Sequence, residues 1–183
     1  VLPTLCHYNV FWGVDHELNG QNMVELADAR GAENVVYAGH SAGGLAAIIA
    51  TSLDSDAVGV LGLDATDTEG APGVPDFIGR QYAGNVTVPA FSVRGEPSSC
   101  NSNGNGVDLF NMMNDSYSII VSQADHCDFE YPTNAGCVMS CENNNATVPD
   151  EEIRAEIIIL GTSAIMSMSG ISDAGWVLWI GAN

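Results

Sequence analysis

Four strand-length apolar runs, interleaved with helical patterns, constrain this chain more than any other feature. Residues 35–38 form a β-favouring run that passes through a Gly-rich turn straight into residues 45–50, which read as a helix. Residues 57–63 follow as a continuous apolar run, and residues 86–93 and 117–121 repeat the pattern. Ahead of the first run, residues 21–30 carry Met23, Leu26, Ala27 and Arg30 at helical spacing and stop at Gly31. Residues 151–168 read as a long amphipathic helix introduced by Pro149 and Asp150. Runs that are apolar on both faces and separated by helices imply a buried parallel sheet with crossover connections. The expected class is α/β, with helices on both faces of the sheet.

A length of 183 residues suits one domain spanning 1–183. The chain opens on Val1-Leu2-Pro3 with neither Met nor a basic segment, as if entered partway through a strand at residues 1–5. We therefore expect an N-terminally incomplete domain lacking the strands that would precede Val1.

Charge excludes several chemistries. Arg30, Arg80, Arg94 and Arg154 are the only strong cations against 23 Asp plus Glu, for a formal net charge of −19, and Lys is absent. Nucleic-acid binding needs cations to displace phosphate counterions, a P-loop needs its lysine, and Schiff-base or Ser-Lys mechanisms need an amine. With 46% apolar residues the chain can still bury a core, so the acidity belongs on the surface, where it suits a high-salt or extracytoplasmic setting. The most apolar stretch, residues 157–165, is too short for a membrane span, which takes about 20 residues.

The cysteines are Cys6, Cys100, Cys127, Cys137 and Cys141. Cys137 and Cys141 have the spacing of a zinc half-site, but no second such pair exists and the four His are scattered, so no metal is expected. One or two disulfides in an exported protein, secreted or periplasmic, fit better, with Cys6 left for a partner upstream. Sequons at Asn85, Asn114 and Asn145 are about as many as chance gives and carry no weight.

Gly39-His40-Ser41-Ala42-Gly43 matches G-x-S-x-G where a buried strand bends directly into a helix. Such a bend lifts a serine Oγ above the sheet, its glycines avoid backbone collisions, and the helix behind it points its amide end at developing negative charge. Ser41 is the candidate nucleophile and the Ala42 N–H a candidate oxyanion donor. Without Lys the base must be His. His7 and His16 precede the serine, and the turn directs His40 away from Oγ, which leaves His126, just past the run 117–121 and thus at the carboxyl edge of the sheet. The carboxylate that fixes the imidazole tautomer is, in order of preference, Asp64, Asp67 or Glu96. Asp64 leads because it closes the apolar run that follows the helix behind Ser41. Asp125 and Asp128 are too close in sequence to His126 to orient it and serve its loop. The two long irregular stretches, residues 96–106 and 128–145, are expected to line the site.

Ser41, Asp64 and His126, in that order on alternating strands and helices, resemble the α/β-hydrolase family along essentially the whole chain. An acid directly after the strand that follows the nucleophile helix, in Gly62-Leu63-Asp64-Ala65, is similar to the branch of platelet-activating-factor acetylhydrolases and chlorophyllases. Asp15-His16-Glu17-Leu18-Asn19-Gly20 resembles a DH..NG stretch of esterases near that branch, with a structural role open for His16. Asp125-His126-Cys127-Asp128-Phe129-Glu130 is similar to a histidine loop of exported bacterial hydrolases. One departure stands out: where the family carries an HG motif that gives a second oxyanion donor, this chain has His7-Tyr8-Asn9, so a Tyr8 or Asn9 amide would have to serve.

These residues imply acyl transfer to water from a small-molecule or lipid-like ester, with no metal or organic cofactor and no nucleic-acid partner. Phe11, Trp12, Phe129 and Tyr131 are candidate pocket walls, with core or loop anchoring as the alternative. The competing function is a non-catalytic hydrolase-like domain that binds a hydrophobic ligand or a protein.

Overall fold

The computed structural model describes residues 8–9, 13–67, 77–133, 135–143 and 145–180. Strands β1 (Tyr8–Asn9) and β2 (Gly13–Val14) pair antiparallel. Helix α1 (His16–Ala29) then leads to β3 (Val35–His40), α2 (Ala42–Leu53), β4 (Ala57–Leu63) and the short α3 (Gly79–Ala83). After these come β5 (Ala90–Arg94), α4 (Val107–Phe110), β6 (Ser116–Ile120), α5 (Ala135–Cys141) and α6 (Asp150–Met168). Strands β3 to β6 form one parallel sheet in sequence order. This is the parallel α/β architecture expected from the sequence, with helices on both faces. The expected strand at residues 1–5 lies outside the described residues.

The pleat sorts the core into two layers. Val60 and Ala90, partners across β4 and β5, point to the face covered by Leu45, Ile48 and Ile49 of α2. Leu61 and Phe91, one step along each strand, point to the opposite face, under Ile153, Ile157 and Leu160 of α6. That second layer is closed by Trp179, which has no exposed surface, stands edge-on to Phe91 at 4.8 Å and donates its indole N–H to Ser163 Oγ at 2.9 Å. Asp150, Glu151 and Glu152 occupy the first turn of α6, where the helix dipole favours negative charge.

Several boundaries differ from expectation. Helix α1 begins five residues before residue 21, because the Asp15 carboxylate accepts the Leu18 N–H at 2.9 Å and starts the helix at His16. Gly31, at φ +61°, ends it as expected. The run at residues 86–93 is a strand only from Ala90: Val86 spends its N–H on Ala83 O at the close of α3, and Pro89 has none to give. Residues 96–106 and 128–145 are less irregular than expected, since they contain a 3-10 turn, Ser99–Gly104, and α5.

Helices α1 and α2 meet at Gly20, where an added Cβ would lie 2.6 Å from the Ile49 side chain and 3.2 Å from the Ala46 carbonyl oxygen. Gly20→Ala is therefore expected to lower unfolding free energy by about 1–3 kcal/mol despite its better helix propensity. Urea denaturation followed by circular dichroism measures this; an unchanged midpoint would show that the two helices separate freely.

Candidate active site

The parallel register fixes where the candidate side chains emerge. His40, Leu63 and Val93 are side by side at the carboxyl ends of β3, β4 and β5. The ladder continues one residue further: Ser41 N–H donates to Leu63 O at 3.1 Å, and Asp64 N–H donates to Val93 O at 2.7 Å. Ser41 and Asp64 thus leave the sheet at one level of one rim. Both sit in the left-handed region, Ser41 at φ +53° and Asp64 at φ +42°, a conformation that non-glycine residues hold only where the surroundings impose it.

The bend at Ser41 depends on its glycines. A Cβ on Gly39 would lie 2.2 Å from Gly43 O, and one on Gly44 would lie 2.6 Å from Ala65 Cβ. The Ser41 carbonyl accepts Gly44 N–H at 3.0 Å and so opens α2, which places the Ala42 N–H in the helix's first turn, where amides lack a partner in the helix ladder. Below this turn the ring of His16, buried at the start of α1, hydrogen-bonds with the Ala42 backbone. The Asp15-to-Gly20 stretch is thereby explained as a cap, a buttress and a close helix contact.

His126 is buried in a 3-10 turn, His126–Phe129, and its Nδ1 lies 2.6 Å from Asp64 Oδ2. Asp64 Oδ1 accepts two more hydrogen bonds, from Gly95 N–H at 3.0 Å and from Asn101 Nδ2 at 3.2 Å. The His126 ring packs against His40, the neighbour of Ser41, with ring centroids 4.4 Å apart. His40 also stacks on Phe129 at 6.0 Å. Burial, followed by the nearness of His126, lowers the His40 pKa to about 4, so this ring stays neutral beside its neighbour near pH 7.

The rival carboxylates are elsewhere engaged. Asp67 accepts the Gly79 N–H at 3.2 Å at the start of α3, and burial raises its pKa. Glu96 is exposed and accepts the Gln123 N–H at 3.3 Å. Asp125 accepts the Cys127 N–H at 2.7 Å and Asp128 the Asp125 N–H at 3.0 Å, so both shape the turn that carries His126. Arg154 of α6 steadies the same turn, 3.6 Å from Asp128 Oδ1 and hydrogen-bonded to Thr133 Oγ1 at 3.1 Å.

Two disulfides, Cys100–Cys141 and Cys127–Cys137, tie both loops of the site to α5. Cys137 and Cys141 therefore bond to different partners; the sulfurs of Cys127, Cys137 and Cys141 lie within 4.8 Å of one another because the two bridges abut. Such bridges suit an oxidising compartment. Cys6, His7, Phe11 and Trp12 lie outside the described residues. Tyr8 and Asn9, the expected source of a second oxyanion amide, form β1. Phe129 and Tyr131 border a cleft of about 690 Å³ whose walls include Leu63 of β4 and Ile157 of α6. Among the described residues, no helix is long and apolar enough to cross a membrane.

No protein-family model matches the chain, and no curated protein matches it. Among solved structures, the chain is similar to Est1E from Butyrivibrio proteoclasticus. The TM-score is 0.48 and the identity 12%, over 76% of this chain and 68% of that one. It is also similar to a structure of ferulic acid bound to Est1E from Butyrivibrio proteoclasticus, with a TM-score of 0.48 and 13% identity over 77% of this chain and 67% of that one.

Three contributions to the site were not legible in advance: the ring of His40 against His126, the Gly95 amide and the Asn101 side chain on Asp64. Only Asn101 left a signal, the Ser98-x-x-Asn101 pattern of a capping box.

Burial raises the Asp128 pKa to about 6, so its ionised form is held at a cost in the folded state. Relative to the ordinary value, that contribution to stability is fully present at low pH and is lost as pH rises to about 6. Asp128→Asn is expected to gain on the parent protein in unfolding free energy between pH 4 and 6 and to hold a constant difference above. Urea denaturation across that range checks it; a difference independent of pH would mean that Asp128 titrates as an exposed carboxylate.

Proposed function

We propose that the protein is a serine hydrolase of carboxylic esters that works through an acyl-enzyme on Ser41. The observation that carries this reading is the buried 2.6 Å contact between His126 Nδ1 and Asp64 Oδ2, with the His126 ring seated on the residue before Ser41. In a neutral imidazole held by a carboxylate at Nδ1, the proton resides on Nδ1 and Nε2 is left as the acceptor.

Ser41 Oγ attacks the ester carbonyl while His126 Nε2 takes its proton, and Asp64 stabilises the imidazolium that forms. The Ala42 N–H, at the positive end of α2, receives the developing oxyanion. Collapse of the tetrahedral species returns the proton from His126 to the leaving alcohol. Water, deprotonated by the same nitrogen, then attacks the acyl-enzyme, and the second tetrahedral species collapses as His126 returns that proton to Ser41 Oγ and the acid leaves. The acid directly after β4 favours the platelet-activating-factor acetylhydrolase and chlorophyllase branch. The two disulfides and the acidic surface favour an exported, secreted or periplasmic protein.

A fluorophosphonate probe tests the reading. Labelling is expected on Ser41, absent in Ser41→Ala and slowed by about 10³-fold or more in His126→Ala. Hydrolysis of p-nitrophenyl esters of rising chain length should follow the same order. An unlabelled, correctly folded parent protein would instead leave a non-catalytic domain that binds a hydrophobic ligand or a protein.

A further inference from the structure

We propose that Asn101 is a positioning residue that fixes the Asp64 carboxylate against His126. The inference rests on the esterase reading for its meaning, though not for its test. Asn101 has no exposed surface, and all four hydrogen-bonding positions of its amide are occupied. Its Oδ1 accepts Ser98 N–H at 2.8 Å and Gly104 N–H at 3.0 Å. Its Nδ2 donates to Glu96 O at 2.9 Å and to Asp64 Oδ1 at 3.2 Å. Two backbone donors fix which end of the amide is oxygen, so the nitrogen must face the carboxylate. Only an amide of this length meets two donors on one side and two acceptors on the other; an aspartate would set oxygen against oxygen twice.

The capping of the 3-10 turn needs only the oxygen of Asn101. The bond to Asp64, across 37 residues of sequence, is therefore additional to the loop's own needs. It acts on Oδ1, while His126 is held on Oδ2, so together with the Gly95 amide it stops the carboxyl group rotating about its terminal torsion. The loop is itself anchored: Cys100, the preceding residue, is bridged to Cys141. Ser102, Asn103 and Gly104, which follow, all have φ between 51° and 72°, a run of left-handed residues that persists only under outside constraint.

The charged and titratable groups around the pair are His40 on β3, Arg94 at the end of β5, whose charge acts on Asp64, the exposed Glu96, and Asp125 and Asp128 of the turn that carries His126. Among these, Arg94 spends its Nε–H on Ser118 Oγ at 2.8 Å. With one hydrogen bond fewer, the Asp64 carboxylate is freer to turn about its terminal torsion, and the geometry of its contact with His126 Nδ1 loosens.

The experiment follows the His126 ring by NMR titration in the parent protein, Asn101→Ala and Ser98→Ala, with Asn101→Ser used where the alanine variant does not fold. Alongside it, kcat and KM are measured with p-nitrophenyl butyrate. The expected result is a displaced His126 titration and Nδ1–H resonance in the Asn101 variants relative to the parent protein. With it should come a roughly tenfold fall in kcat and a KM within about twofold, because a carboxylate free to turn no longer holds His126 in place. Ser98→Ala weakens the same loop and should leave the titration in place. If His126 titrates identically in the Asn101 variants and the parent protein, the inference is overturned. It is overturned too if Ser98→Ala moves the titration equally, because Asn101 is then only part of the loop's scaffold. Should the parent protein show no Ser41-dependent hydrolysis, the esterase reading fails, and the NMR comparison still decides the role of Asn101.

Discussion

The site depends on one rank of backbone hydrogen bonds at the carboxyl edge of the sheet. Ser41 N–H to Leu63 O, Asp64 N–H to Val93 O and Val121 N–H to Arg94 O each join one strand to the next just where the strands end. In a parallel sheet these bonds fix register, and a slip of one residue would turn every following side chain to the other face. Ser41 and Asp64 therefore emerge level with each other although 23 positions separate them in the sequence. The apolar layers on both faces hold that register, so core and site are a single mechanical unit.

Upon this rim the chain adds constraints that ordinary loops lack. Ser41 and Asp64 are held at positive φ, the loop carrying Asn101 is bridged to α5 through Cys100, and the turn carrying His126 is bridged to it through Cys127. Closing the segment between Cys100 and Cys141, 41 residues apart, removes on the order of 4 kcal/mol of chain entropy from the unfolded state. Electrostatics at the rim is local despite a net charge of −19: Asp64 is satisfied by an imidazole, a backbone amide and a side-chain amide, while His40 remains neutral. The sheet supplies position, and the cross-linked loops supply rigidity.

Legibility followed physical cause. Strand β4 could be read to the residue because both its faces are buried and its pattern is unbroken. The start of α1 could not, because the residues it buries there are His16, Asn19 and Gly20, which register as polar or small in any hydrophobic pattern. The pairing of Asp64 with His126 was legible because the strand order places both at one edge; the preference for Asp64 over Asp67 came from where β4 ends. Asn101 was hidden, since its sequence neighbours describe a cap and its decisive partner, Asp64, lies 37 residues away just past β4. The disulfide pairing was hidden for a similar reason: the fold of α5 turns Cys137 and Cys141 to different loops.

Whether Ser41, His126 and Asp64 converge is decided by a crystal structure of the protein after reaction with a phosphonate ester. Phosphorus is expected on Ser41 Oγ, with His126 Nε2 within hydrogen-bonding distance of that oxygen, about 2.6–3.2 Å, and the phosphoryl oxygen on the Ala42 N–H. A His126 ring still paired with Asp64 but beyond the reach of Ser41, or phosphorus on another side chain, would contradict it.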